Sequence, residues 1–470
     1  MSFIRCISLT VALATLGLIG VPLASAEEKK PDAASLSVEA SKKNETAQKF
    51  FKSGEDRAQN ANYRAAIESY SQAIQINPSW SSPYTSRGVA RFKVGDVQGA
   101  LQDLNQAERL NPIEANVYAH RGSVYYSMGD VEAAIADFNK AIELNPDLAA
   151  VRVNRGYIYT QRNNFDAAIA DFDQALKSQP TYTPAFVNRG FARFKKGDRT
   201  GAMQDLNEAL KRQANYPEAL VVRGTIQHDL GEFEAAIADF TEAIRLKPNF
   251  VDALQNRAQA HSKLGNLEAA QTDLTAILKL NPNQASPFYQ RGMVRMALND
   301  AEGAIDDYNQ ALRLKPDFAE AIKSRGDVRA VIGDKQGAIA DYSQAVQIQS
   351  NFAAAYASRA SVRSQIGDQS GATQDYTEAV NLNSTDPQLY ENRGKARMSI
   401  GDLQGAIDDF SQTIRLDPNR ANAFYYRGVL KLSDRASART DLQRAADLYL
   451  QAGNAEGYRN TLEKMNRRIR

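Results

Sequence analysis

The chain of 470 residues has little of what most catalytic sites require: one cysteine, three histidines and one tryptophan. The single cysteine, Cys6, excludes internal disulfides and Cys-zinc sites. His120, His228 and His261 are far apart in sequence, so no histidine pair has metal-ligand spacing. Gly-rich phosphate loops and nucleophile elbows are also lacking. We therefore predict neither an enzyme nor a bound cofactor.

The chain also lacks an excess of charge of one sign. It contains 57 Lys and Arg against 55 Asp and Glu, which gives a formal net charge of +2. This balance produces no global attraction for nucleic acid or for a membrane surface. The expected partners are therefore other proteins or peptides, and the sequence leaves the oligomeric state open.

What the chain has instead is a period of 34 residues. When Ala47 is counted as position 1, arginine recurs at position 7 from Arg87 to Arg427 in steps of 34. Position 20 is alanine and position 8 is glycine or alanine in all eleven complete units. A period this strict indicates one supersecondary unit copied many times, each copy packed on its neighbours. Small residues at fixed positions mark points where two helices approach closely.

Each unit carries the signals of two helices. The first covers about positions 2 to 14 and ends at a glycine or asparagine such as Gly95 or Asn163, which suits a left-handed backbone. An Asp or Asn such as Asp96 then provides an N-cap for the second helix. Position 24 is aromatic or leucine, and proline at position 32 closes eight units.

These features resemble the tetratricopeptide repeat, a helix–turn–helix of 34 residues. The resemblance covers residues 47–420 as eleven repeats, followed in 421–470 by a degenerate twelfth repeat and C-terminal capping helices. It implies an all-α fold, a right-handed α-solenoid superhelix of antiparallel helix pairs whose first helices line a concave groove. The capping segment is similar to those of bacterial, notably cyanobacterial, repeat proteins, which suggests such a source.

The N-terminal residues differ from the array. Residues 1–26 combine an early Arg5, an apolar stretch and Ala24-Ser25-Ala26, the pattern of a secretory signal peptide. We expect cleavage after Ala26 and export to the periplasm or the extracellular space, or to the thylakoid lumen if the source is cyanobacterial. After cleavage no stable membrane insertion is expected; the alternative is an uncleaved membrane anchor. Residues 27–46 are polar and aperiodic, which predicts a flexible linker.

Two charged rows repeat in step along the array. Aspartate stands at position 23 in ten consecutive units, from Asp103 to Asp409, alongside the arginine at position 7. A charge that is partly buried in a helical layer needs a partner. We therefore expect an Arg–Asp ladder that joins helices, rather than a track for acidic ligands.

Position 6 carries polar side chains: Asn154, Asn188, Asn256 and Asn392, with His120 in the same row. In peptide-binding members of the family, asparagine at this position faces the groove. An amide can both donate to and accept from an extended peptide backbone. The resemblance thus implies a peptide-binding row, and the alternative is that these are ordinary polar residues on a solvated face.

Aromatic and apolar residues accompany this row at positions 5, 9 and 12 in units two to six. The aromatic ones are Phe92, Tyr126, Tyr157, Phe191 and Phe194. If they face the groove they are exposed, and contiguous exposed apolar area usually marks a partner site. Alternatively they pack sideways between repeats. In most later units these rows become polar, although Tyr289, Met293 and Met296 interrupt the trend, so the N-terminal half is the better candidate for an anchor site.

Three functional hypotheses follow. The leading one is a non-catalytic interaction scaffold that binds extended protein segments in its groove. The second is a structural or self-assembling exported protein that docks partners on its convex face. The third is recognition of cell-surface carbohydrate by the aromatic rows.

Overall fold

The computed structural model describes residues 38–468, and in that range the chain forms 25 α-helices and no strand. The signal peptide expected for residues 1–26 lies outside the described residues. The helices are α1 Val38–Gln59, α2 Tyr63–Ile76, α3 Ser81–Lys93, α4 Val97–Leu110, α5 Ala115–Ser127, α6 Val131–Leu144, α7 Ala149–Gln161, α8 Phe165–Ser178, α9 Thr183–Lys196, α10 Arg199–Arg212, α11 Pro217–Asp229, α12 Phe233–Leu246 and α13 Val251–Lys263. They continue as α14 Leu267–Leu280, α15 Ala285–Ala297, α16 Ala301–Leu314, α17 Ala319–Val331, α18 Lys335–Ile348, α19 Ala353–Gln365, α20 Gln369–Leu382, α21 Pro387–Ser399, α22 Leu403–Leu416, α23 Ala421–Leu430, α24 Arg435–Gln451 and α25 Ala455–Arg468.

The chain divides into two compact units, an N-terminal unit that ends at Ala260 and a C-terminal unit that begins at His261. Within each unit the first helix of a repeat packs on the second, and the second packs on the first helix of the next repeat. Nearest-neighbour packing of helix pairs is the architecture of an α-solenoid. The predicted all-α fold class is therefore confirmed.

The turn between the two helices of a repeat follows the sequence signals closely. Gly95, Asn163 and Asn299 adopt positive φ angles of 88°, 57° and 63°. The residue that follows Gly95, Asp96, accepts a hydrogen bond from the backbone N–H of Gly99 at 2.9 Å. This side chain replaces one of the hydrogen-bond partners that the first turn of a helix lacks. The predicted left-handed residues and N-caps are thus confirmed in these turns.

The small residue at position 8 lies against the second helix of its own repeat. A Cβ atom added to Gly122 would stand 2.8 Å from the ring of Phe138 (position 24) and 3.2 Å from the backbone oxygen of Ala134 (position 20). Distances this short leave no room for a side chain. The predicted close approach of two helices is therefore confirmed, and the ring at position 24 fills the space that glycine leaves.

The Arg–Asp ladder is also confirmed, and its partners are now defined. In each pair the arginine at position 7 donates from Nε and Nη2 to both oxygens of the position-23 aspartate in its own repeat. Such bidentate pairs are Arg87–Asp103, Arg121–Asp137, Arg155–Asp171, Arg189–Asp205, Arg223–Asp239, Arg291–Asp307, Arg325–Asp341 and Arg359–Asp375. The pair therefore joins the two helices of one repeat.

The third nitrogen of the same arginine extends the connection to the preceding repeat. Nη1 of Arg325 donates to Oδ1 of Asn309 at 2.7 Å, and Nη1 of Arg155 donates in the same way to Asn139 at 2.5 Å. The acceptors belong to the second helix of the repeat before. One guanidinium thus connects three helices, and its planar fork suits that geometry better than a lysine ammonium would.

The two ends of the described chain depart from the sequence-based boundaries. Helix α1 begins at Val38, so the expected flexible linker is wrong for residues 38–46, which are helical. The twelfth repeat is shorter but keeps the ladder: Arg427 donates to both oxygens of Asp441 at 2.8 and 2.7 Å. Its arginine and aspartate are separated by 14 residues, compared with 16 in the other pairs. Helix α23 has 10 residues, compared with 13 in a first helix such as α3, so a shortened first helix explains the break in the sequence frame.

Candidate functional site

One side of each first helix packs on the second helix of its own repeat, and the opposite side faces away from that helix. Position 8 lies against the second helix, so on a helix of 3.6 residues per turn positions 2, 6, 9 and 13 point away from the second helix, and positions 5 and 12 lie at the border between the two sides. We call these positions of consecutive repeats the first-helix face. All ten side chains predicted as a peptide-binding groove belong to this face.

In the N-terminal unit the predicted aromatic row is mostly buried. Tyr157 is 6% exposed and Phe191 is 1% exposed, and the two belong to one apolar cluster with Val187 and Val221. Tyr126 and Phe194 are partly buried at the edge of this cluster. The expectation that Tyr157 and Phe191 are exposed is therefore wrong, because apolar side chains of neighbouring first helices pack against each other.

Two ring contacts show the same sideways arrangement. The rings of Tyr126 and Tyr157, which belong to consecutive repeats, lie 6.1 Å apart in an edge-to-face geometry. Phe92 packs at the edge of a separate cluster that contains Leu104 and Val124. An edge-to-face aromatic pair is a favourable packing contact in its own right. These rings therefore support the alternative of packing between repeats.

The polar row at position 6 is buried as well. His120 is 7% exposed, Asn154 1% and Asn188 2%. The amide Nδ2 of Asn188 donates to the backbone oxygen of Pro184 at 2.9 Å. Burial, together with the charge of Lys93, lowers the pKa of His120 to about 4. The expectation that these three side chains lie on an open, solvated face is wrong.

The remaining two asparagines of the row are half-buried and are bound within the protein. Asn256 donates from Nδ2 to Oγ1 of Thr225 in the preceding repeat at 3.2 Å. Asn392 accepts from Nε2 of Gln388 at 2.9 Å, and it lies beside the hydroxyl of Tyr376. Their amides thus contribute to contacts between and within repeats.

In the C-terminal unit, serines at position 6 accompany tyrosines at position 24 of the preceding repeat. Ser324 lies beside the hydroxyl of Tyr308, and Ser358 lies beside that of Tyr342. Each serine lowers the phenol pKa that burial raises. The sequence carried the signal for this relationship, because position 24 is tyrosine in the three units that precede Ser324, Ser358 and Asn392.

Large apolar side chains are accessible on the first-helix face at two points, both in the C-terminal unit. Met293 at position 9 of α15 is 46% exposed, and Val331 at position 13 of α17 is 70% exposed. Helices α15 and α17 belong to consecutive repeats and contact each other. In the N-terminal unit, by contrast, the described first helices carry no exposed large apolar residue at positions 1–13. The sequence-based preference for the N-terminal half as the anchor site stays a prediction, but the large apolar side chains that are accessible on this face lie in the C-terminal unit.

Charged pairs flank this accessible region. Lys323 contacts Asp327 at 2.7 Å, and Asp327 also accepts from the hydroxyl of Tyr342 at 2.9 Å. Two repeats further on, Lys395 contacts the buried Glu391 at 2.5 Å. The side chains of each pair are held by contacts with each other and with their neighbours. The first-helix face of the C-terminal unit therefore carries charges of both signs.

In the part of the chain that the structure describes, no group of three His, Cys, Asp or Glu side chains could hold a metal ion. No helix between Val38 and Arg468 is long and apolar enough to cross a membrane.

Comparison with protein families identifies the repeats. A TPR repeat model matches residues 122–161, 156–197 and 224–265, and tetratricopeptide repeat models match 251–284 and 289–357. A model of anaphase-promoting complex subunit 5 matches 337–386. No curated protein matches the chain in sequence.

Solved structures of similar fold include yeast Tom70, which is 16% identical and aligns over 84% of this chain and 97% of its own, with a TM-score of 0.40. The APC/C hetero-tetramer Cut9–Hcn1 is 15% identical over 89% of this chain and 96% of its own, with a TM-score of 0.40. A tetratricopeptide repeat protein from Parabacteroides merdae is 19% identical over 51% of this chain and 94% of its own, with a TM-score of 0.41. The family models thus match tetratricopeptide repeats within residues 122–357, and the helix pairs on both sides of this range recur with the same 34-residue period.

Proposed function

We propose that the protein is a non-catalytic interaction scaffold that binds an extended protein segment along the first-helix face of its C-terminal unit. The repeat fold is typical of protein–protein interaction. The observation that carries the location is the exposure of Met293 and Val331 on adjacent first helices. Exposed apolar area within a polar surface favours association, because its burial by a partner removes it from water.

The bound segment is expected to place apolar side chains on Met293 and Val331 and polar backbone on the surrounding side chains. Gln290 and Ser286 of α15 lie on the same face, and the Lys323–Asp327 pair lies on α17. Binding energy in such interfaces concentrates in a few buried apolar anchors. The polar surroundings then decide orientation and specificity.

The test uses peptides selected from a displayed random library against the full chain. The affinity of a selected peptide is measured for the wild type and for the double variant Met293→Ser/Val331→Ser. A matched control replaces Leu314 and Ile348 by serine, since these are exposed aliphatic residues at second-helix ends of the same unit. We expect at least a tenfold loss, about 1.4 kcal/mol, in the first variant and none in the control.

A crosslinking experiment distinguishes the proposed site from a site on the N-terminal unit. A photo-crosslinker placed at Val331 should react with the bound peptide, while one placed at Phe194 should not. Crosslinking at Phe194 alone would place the site on the N-terminal unit and overturn this proposal. Equal loss of affinity in the control variant would indicate non-specific apolar binding.

Export remains part of the proposal. The Ala24-Ser25-Ala26 pattern supports cleavage that leaves Glu27 as the first residue of the mature protein. Mass spectrometry of the protein from its native source tests this directly. A mature form that retains Met1 would replace export with anchoring or retention.

A further inference from the structure

Three exposed arginines lie together on the outer side of α24, the second helix of the twelfth repeat. Arg435, Arg439 and Arg444 line one shallow surface depression. The rest of its lining consists of Ala436, Thr440, Gln443 and Asp447. The depression is therefore rich in hydrogen-bond donors and carries a local excess of positive charge.

These arginines have no carboxylate partner among the side chains described between residues 42 and 466. The nearby Asp447 accepts a hydrogen bond from Gln443 at 3.0 Å. Asp441, on the buried side of the same helix, is bound by Arg427. By contrast, the exposed Arg212 is paired with Glu208 at 2.7 Å. Three guanidinium groups thus remain available to an external anion.

Their spacing fits carboxylates on an extended chain. Arg435 and Arg439 are separated by one helical turn, a rise of roughly 6 Å. Alternate side chains of an extended polypeptide are separated by roughly 6.6–6.8 Å. A guanidinium also matches a carboxylate in a planar, two-point geometry. An acidic segment can therefore engage Arg435 and Arg439 in succession, whereas Arg444 lies further around the helix, at the other side of the depression.

The lining also argues against a single-stranded nucleic acid as the partner. Such ligands are usually bound by cationic side chains together with aromatic rings on which the bases stack. The residues between the arginines are Ala436, Thr440 and Gln443, and the depression has no aromatic lining residue. Polar side chains of this kind are suited instead to hydrogen bonds with a peptide backbone.

We propose that this surface of α24, which we call the arginine patch (Arg435, Arg439 and Arg444), binds an acidic protein segment with carboxylates at alternate positions. The patch lies on a second helix, so it is a binding surface in addition to the first-helix face. It allows the scaffold to hold two segments by different chemistry, one through apolar anchors and one through charge.

The probe is a fluorescein-labelled peptide of alternating glutamate and serine, and binding to the full chain is followed by fluorescence anisotropy. We expect binding that weakens as salt is added, because charge pairs at a surface are screened. The triple variant Arg435→Gln/Arg439→Gln/Arg444→Gln should bind at least about tenfold more weakly. A matched control, Arg64→Gln/Arg313→Gln/Arg415→Gln, removes the same charge from other exposed positions and should bind like the wild type.

Several results would overturn the proposal. No binding at low salt, or equal loss in both triple variants, would show that the patch is not a specific site. A single-stranded DNA that displaces the peptide at equal concentration would indicate a general anion surface. The Met293→Ser/Val331→Ser variant should retain the acidic peptide, so failure of the first-helix site and failure of the arginine patch are distinguishable. Circular dichroism of each variant verifies that its helices are intact.

Discussion

Arg325 donates from Nε and Nη2 to the two carboxylate oxygens of Asp341 at 3.0 and 2.6 Å, and thereby joins the two helices of the ninth repeat. Asp341 is 3% exposed, and it also accepts from Nη1 of Arg329 at 2.9 Å. Arg329 stands at position 11, one helical turn after Arg325. One buried carboxylate is therefore held by two arginines of the facing helix, an arrangement that Arg291 and Arg295 repeat around Asp307.

Replacement of Asp341 by asparagine should lower the stability of the ninth repeat by about 3 kcal/mol, because it leaves two partly buried arginines without their counter-charge. Hydrogen exchange should show faster exchange in α17 and α18 than in distant repeats of the same unit. The control is Asp306→Asn, since Asp306 is exposed on the neighbouring second helix. Equal effects of the two substitutions would contradict a structural role for the ladder.

Phe191→Ala should destabilise the N-terminal unit by at least about 2 kcal/mol, because it removes a buried ring from the apolar cluster that Phe191 forms with Val187 and Val221. Phe194 is only partly buried at the edge of the same cluster, so Phe194→Ala should cost less. Urea unfolding followed by circular dichroism measures both. A stability of Phe191→Ala equal to that of the wild type would restore the exposed groove that the sequence suggested.

Two glycines should respond to alanine for different reasons. Gly122→Ala places a Cβ atom 2.8 Å from the ring of Phe138, so we expect a loss of about 1–3 kcal/mol from overpacking. Gly129 has open space around it but a φ of +82°, so alanine there should cost roughly 1–2 kcal/mol through backbone strain. The double variant Gly122→Ala/Phe138→Leu should recover part of the first loss and none of the second. Thermal unfolding of the set provides the comparison.

His120 should make the N-terminal unit sensitive to acid. Its pKa is lowered from 6.5 to about 4, so the folded state keeps it neutral while the unfolded chain binds a proton below pH 6.5. The stabilisation is fully present above pH 6.5 and is lost as the pH falls towards 4. Between about pH 7 and about pH 5 the loss should be about 2 kcal/mol.

The variant His120→Gln isolates this effect, because glutamine does not titrate. The difference in unfolding free energy between the wild type and His120→Gln should change by that amount over the same pH interval. His228, which is less buried, supplies the control variant His228→Gln. A difference that stays constant with pH would show that His120 is accessible to protons in the folded protein.

Local structure was largely predictable from the sequence because it depends on residues that are near each other in the chain. Gly95 at positive φ and Asp96 as N-cap follow from backbone sterics and from the unpaired N–H groups at a helix start. The closeness of Gly122 to Phe138 follows from a small residue and a ring at fixed repeat positions. The start of α1 at Val38 was missed because residues 38–46 have no apolar periodicity.

The sequence by itself determined the repeat, its two helices, its turn and the existence of charge pairs, since each recurs with the same 34-residue period. Only the tertiary structure decided which side chains of the first helices are accessible. Periodicity gives the direction of Phe191 or Met293 relative to its own helix, but exposure depends on the residues that the next repeats place beside it. Phe191 meets Val187 and Val221 and is buried, whereas Met293 remains 46% exposed. For the same reason the anchor site that we propose lies in the C-terminal unit, where Met293 and Val331 are exposed.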